Sequence, residues 1–131
     1  MIQSFTFDGE GMNRVYENSK WMVGLKNWKP ANDITGIDCL ERHNETDELF
    51  VLLSGRCTLL YATEENGVLQ IGSVEMKPQT VYNIPACLWH NTVTEKDTKL
   101  VLIEDVSTGM ENSDILSLTA EQIAEVQALV K

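Results

Sequence analysis

Histidine is scarce in this chain: there are 2 in 131 residues, His43 and His90. Basic residues are also few, 10 against 20 acidic ones, for a formal net charge of −10. A protein that neutralises a phosphate backbone or an anionic lipid surface needs a basic face, so nucleic acid and membrane are excluded as expected partners. The three cysteines, Cys39, Cys57 and Cys87, are odd in number, widely spaced and without a C-x-x-C pair. That pattern argues against a zinc ribbon or disulfide framework and fits a reducing compartment. No apolar run is long enough to span a bilayer. The stretch "MIQSFTFDGEGMNR" has no basic start followed by an apolar segment, so no signal peptide is read and a cytoplasmic location is expected.

What is present reads as one soluble domain. A chain of this length that is 43% hydrophobic and 23% charged fits a single core. Strand signals run from about residue 20 to 106. "KWMVGLKNW" is apolar and aromatic and stops at Pro30. "GIDCLERH" alternates, placing Ile37, Cys39, Glu41 and His43 on one face. "ELFVLLSG" is nearly all apolar, which predicts a strand covered on both faces. Asn66-Gly67 predicts a tight hairpin, because a primed turn needs positive φ at its central residues. "TVYNIPACLWHNTVTE" and "KLVLIEDV" supply further strands. Short strands between regular turns predict an all-β sandwich or barrel. The C-terminus differs. Thr119 and Gln122 form a capping box flanked by Leu118 and Ile123, and Ile123, Val126 and Val130 make an apolar stripe, predicting a helix over about 119–131.

The two histidines stand in distinct local patterns. His43 is followed by Glu48 and then Gly55, and Pro85 precedes His90. Glu41 and His43 share a strand face because they are two residues apart. Glu48 lies just past the polar turn "NETD" and can face back at His43. Two imidazoles and a carboxylate suit a divalent transition metal and leave positions open for water or substrate. A single histidine among carboxylates is ordinarily a hydrogen-bonded or exposed residue. The two together, each in such a pattern, favour a site.

These residues resemble the cupin superfamily, whose first motif runs G-x5-H-x-H-x3–4-E-x6-G and whose second runs G-x5-P-x-G-x2-H-x3-N. His43, Glu48 and Gly55 match the first motif; Pro85 and His90 match the second. Glu41 stands where the family has its first histidine, Gln79 and Cys87 where it has glycines, and Thr94 where it has asparagine. The resemblance covers roughly residues 35–106. It implies a small single-domain cupin: a double-stranded β-helix, or jelly-roll barrel, over about 20–106 with a C-terminal helix, commonly homodimeric. It also implies that His43, Glu48 and His90 hold a metal, with Glu41 as fourth ligand.

Two carboxylates would neutralise a divalent ion and harden the donor set toward Fe, Mn, Ni or Zn. Redox or Lewis-acid work on a bound small polar metabolite then fits better than metal-hydroxide hydrolysis. A metal-dependent dioxygenase or isomerase is one expectation. A non-catalytic ligand-binding or sensing cupin, for a sugar for instance, is another. A metal-free acid–base enzyme resembling sugar-nucleotide ketoisomerases is a third, although few basic residues are present to hold a diphosphate. Cys39, Phe50 and Thr92 are candidates to line the pocket. Phe50 and Leu52 share parity with Glu48 and are expected to fill the barrel, while Trp89 is expected to face away from His90.

Overall fold

A computed structural model describes residues 1–130. The chain forms ten strands: β1 (Met12–Glu17), β2 (Trp21–Asn27), β3 (Cys39–His43), β4 (Glu48–Ser54), β5 (Cys57–Glu65), β6 (Val68–Glu75), β7 (Val81–Ile84), β8 (Trp89–Thr94), β9 (Lys99–Asp105) and β10 (Ser113–Ser117). One helix, α1 (Ala120–Leu129), follows. The strands pair antiparallel in two sheets of five, ordered β1-β2-β9-β4-β7 and β10-β3-β8-β5-β6. No helix among the described residues is long and apolar enough to cross a membrane.

Side-chain alternation divides the apolar residues between two cores. Between the sheets, Met22, Phe50, Leu52, Cys57, Leu59, Leu100 and Leu102 interlock, so Phe50 and Leu52 fill the barrel as their parity predicts. On the outer face of the β10-β3-β8-β5-β6 sheet, Leu40, Leu60, Ala62, Trp89 and Val93 form a second cluster, closed by Leu118 and Val126. The helix covers this face. Its start is fixed by the predicted capping box: Gln122 N donates to Thr119 Oγ1 at 3.2 Å, and Thr119 N donates to Gln122 Oε1 at 2.9 Å. Residue 131, the last of the predicted helix, lies outside the described residues.

Two expectations are corrected. The sheets extend beyond residues 20–106, since β1 and β10 add an edge strand to each. Both are short, and their polar residues, as in "MNRVYE" and "SDILS", hide the pattern of a half-buried strand. β4 is also covered on one face only. Glu48, Phe50 and Leu52 are buried, but Leu49 and Val51 are half-exposed and Leu53 is 51% exposed. No element of the described chain lies over this sheet as the helix lies over the other.

The turns follow local chemistry. Asn66 and Gly67 both have positive φ, 54° and 78°, as the predicted hairpin requires. Gly55 also has positive φ, 70°, and a Cβ there would meet the Asp97 backbone at 2.7 Å, so only glycine fits. Gln79 and Cys87 stand at φ 63° and 70°. The left-handed backbone therefore persists at both positions where the cupin motif has glycine.

Candidate metal centre

The turn at residues 44–47 reverses the chain so that β3 and β4 lie in opposite sheets with His43 and Glu48 facing each other. β3 pairs with β8 through Glu41 and His90, and β4 pairs with β9 through Glu48 and Glu104. All five side chains meet at one end of the space between the sheets. His43 Nε2 lies 3.2 Å from Glu48 Oε1, and His90 Nε2 lies 3.0 Å from the same oxygen. Glu41 Oε1 is 3.4 Å and Glu104 Oε1 3.8 Å from His43 Nε2. The imidazole centroids are 5.2 Å apart. His43, Glu48, His90 and Glu104 are buried, and Glu41 is partly exposed at the rim.

The outer ring nitrogens are held from behind. His90 Nδ1 donates to the Leu88 carbonyl at 3.0 Å. A carbonyl only accepts, so Nδ1 carries a proton and Nε2 is the ring nitrogen left to face the site. His43 Nδ1 is 2.8 Å from Ser113 Oγ on β10. Both rings thus turn Nε2 toward one Glu48 oxygen, a point where a proton or a metal ion can be shared. Donors held at ~2.1 Å from one divalent ion stand roughly 3.0–3.4 Å apart. The separations of 3.0, 3.2 and 3.4 Å match that spacing. The donor set therefore fits a divalent ion, within the two ligand groupings Glu41, His43, His90 and His43, Glu48, Glu104.

Electrostatics sort the carboxylates. Burial pulls the His43 imidazolium down, but its hydrogen bond to Glu48 and the charges of Glu48 and Glu41 win and raise its pKa. Burial opposes ionisation of Glu48 too, yet hydrogen bonds from His43, His90 and Glu104 hold it well below the usual carboxylate range. Glu104 goes the other way. Burial, then the hydrogen bond and charge of Glu48, push it up to about 9, so it keeps its proton beside an ionised neighbour.

The structure thus brings together His43, Glu48, His90 and Glu41, the four residues singled out from the sequence. Thr92, another expected pocket residue, shares the inner face of β8 with His90. Cys39 shares parity with Glu41 and is half-buried. Phe50 sits deeper, in the apolar core. Trp89 faces away, under the Arg42 guanidinium at 4.4 Å from its ring centroid. Three inner-face residues were passed over. Glu104 was legible as a charge in step with buried Leu100 and Leu102. Lys26 stands in step with Met22, and Tyr61 lies opposite His90 in register.

No protein-family model matches this sequence, and no curated protein matches it. Solved structures do. CapF, crystallised with the inhibitor 3-isopropenyl-tropolone, superposes with a TM-score of 0.63 at 16% identity over 88% of this chain. The chain spans only 34% of CapF's length. The Streptomyces protein Pac13, described as a nucleoside dehydratase, superposes at 0.61 with 10% identity, covering 93% of this chain and 97% of its own. A cupin-2 domain containing protein from Shewanella frigidimarina superposes at 0.52 with 19% identity, over 76% of this chain and 84% of its own. At such identities the likeness speaks for the fold. Two antiparallel sheets, one C-terminal helix and these neighbours make the chain a small protein of the cupin fold.

Proposed function

We propose that the barrel binds a divalent metal, Fe, Mn, Ni or Zn, through His43, Glu48 and His90, with Glu41 as fourth ligand, and works on a small polar metabolite as a dioxygenase or isomerase. The observation that carries this reading is the pair of Nε2 atoms turned onto one Glu48 oxygen, with His90 Nδ1 committed to a carbonyl. A bound ion would supply Lewis-acid or redox chemistry. The chain's residues would orient it, the Leu88 carbonyl and Ser113 Oγ holding the two rings from behind and Glu104 lying beside Glu48. Metal analysis of protein purified without chelator tests the reading. About one equivalent is expected in the wild type, and almost none in His90→Ala. Equal traces in both proteins would overturn it.

A second reading, metal-free acid–base chemistry, draws on Glu48 and Glu104, whose environments push two neighbouring carboxyls apart in acidity. The shared fold with a nucleoside dehydratase is compatible with it. Turnover that survives chelation would favour this reading over the first. A non-catalytic sensing role predicts ligand binding without turnover in both states.

We further propose a homodimer packed on the outer face of the β1-β2-β9-β4-β7 sheet. Val81 is 65% exposed there, and Trp21, Leu53 and Ile103 are exposed too. Light scattering should give twice the chain mass, falling to one chain in an Ile103→Glu variant.

A further inference from the structure

A cavity of about 510 Å³ lies on the outer face of the β10-β3-β8-β5-β6 sheet, the face turned away from the histidines. Its floor is Thr58 of β5 and Val93 of β8, which pair across the two strands. The loop at residues 33–35 and the end of the helix wall it, and Gln127 Nε2 donates to the Ile34 carbonyl at 3.3 Å where the two meet. Ile34, Val93 and Val130 belong to the outer apolar cluster, so the cavity continues that core and not the barrel interior. Thr58 is 5% exposed. Its hydroxyl has no hydrogen-bond partner among the described residues, whereas the nearby buried hydroxyls of Thr94 and Thr98 donate to the Asn32 and Arg56 carbonyls. A hydroxyl withdrawn from water without a counterpart is costly, so the site favours an occupant that supplies one.

The charges at the rim are already engaged. Arg56 donates from Nε to Glu75 Oε1 at 2.8 Å and from Nη2 to the Val130 carbonyl at 3.4 Å. Asp33 accepts from Trp28 Nε1 at 2.9 Å and from the Thr35 hydroxyl at 2.7 Å. The Lys96 ammonium sits 5.5 Å from the Trp28 ring centroid. These two cations are matched by Asp33 and the exposed Glu95, so the rim offers no net charge to a ligand. We infer that this cavity is a second binding site, for a small neutral molecule with an apolar body and one hydroxyl, an alcohol or a phenol. The hydroxyl pairs with Thr58, and the body lies against Ile34, Val93 and Val130. The sheet separates this site from the metal centre, and the inference does not rest on the metal reading.

Naphthol, methylnaphthalene and naphthoate, substituted at the same ring carbon, test it by titration into the full chain with backbone amide shifts as readout. Naphthol is expected to shift the amides of Ile34, Thr58 and Val93 and to bind about fivefold tighter than methylnaphthalene, the weight of one neutral hydrogen bond. Naphthoate should bind more weakly than naphthol. Thr58→Val should erase the naphthol preference and Thr58→Ser should keep it. Ile34→Trp, which fills the cavity, should weaken naphthol and methylnaphthalene alike while the amide spectrum of the barrel stays native. Absence of saturable binding, shifts confined to the barrel interior, a naphthol preference that survives Thr58→Val, or tightest binding of naphthoate would each overturn the inference.

Discussion

The two faces of the β10-β3-β8-β5-β6 sheet are built from alternate residues of the same strands and are opposite in character. Leu40, Leu60, Trp89 and Val93 face outward into an all-apolar cluster under the helix. Their chain neighbours Glu41, Tyr61, His90 and Thr92 face inward, where polar groups crowd at one end of the barrel. Strand period separates the two jobs by a single residue. The helix side contributes apolar burial with few polar groups to satisfy. The inner side holds buried charge where the two imidazoles stand against the Glu48 carboxylate.

The largest expected effect is on the helix side. Leu60→Ala should cost about 2–5 kcal/mol in urea unfolding, while the folded fraction keeps its full metal stoichiometry. Loss of metal from the folded fraction would break the separation of the two faces. Glu48→Gln is the reverse experiment. Metal affinity should fall by more than about 100-fold, and the near-ultraviolet dichroism of the core should stay native. Ser113→Ala, which removes only the group behind His43, should weaken metal about tenfold in a competition titration.

The metal-free protein should also show a pH signature confined to the inner side. Glu104 has a folded pKa raised to about 9 from an ordinary 4.5, so the unfolded chain releases that proton first. Stability is therefore greatest below about 4.5 for this group and declines as pH rises through 9. The depressed pKa of Glu48 works oppositely and withdraws stability only as pH falls below its ordinary value. Thermal melts between pH 5 and 9 should slope downward, and Glu104→Gln should reduce the slope to the part that the raised His43 contributes above its ordinary value. A wild type with no slope would remove the proton from Glu104. The smallest effect concerns Cys87, left-handed at the edge of the site. Cys87→Gly should raise stability by about 1 kcal/mol without altering metal content.

Much of the site was legible because its residues are local in sequence. Glu41, His43 and Glu48 straddle one turn, and the resemblance to the second cupin motif, at Pro85 and His90, implied that His90 joins them. Glu104 escaped notice because "IEDV" resembles the solvated end of a strand; its burial comes from pairing with Glu48 across β4 and β9. The bare outer face of β4 was misread because an apolar run does not say which of its faces is covered.

The sequence by itself determined the strand periods, the hairpin at Asn66-Gly67 and the helix start at Thr119, since each depends on neighbours within a few positions, and the resemblance to the cupin motifs added His90 to the local trio Glu41, His43 and Glu48. Only the tertiary structure decided that Glu104 is buried beside Glu48, that Ser113 stands behind the His43 ring and that His90 from a distant strand meets the same Glu48 oxygen. Those properties arise from burial and from partners that can be tens of residues away, and neither has a local signature in the chain.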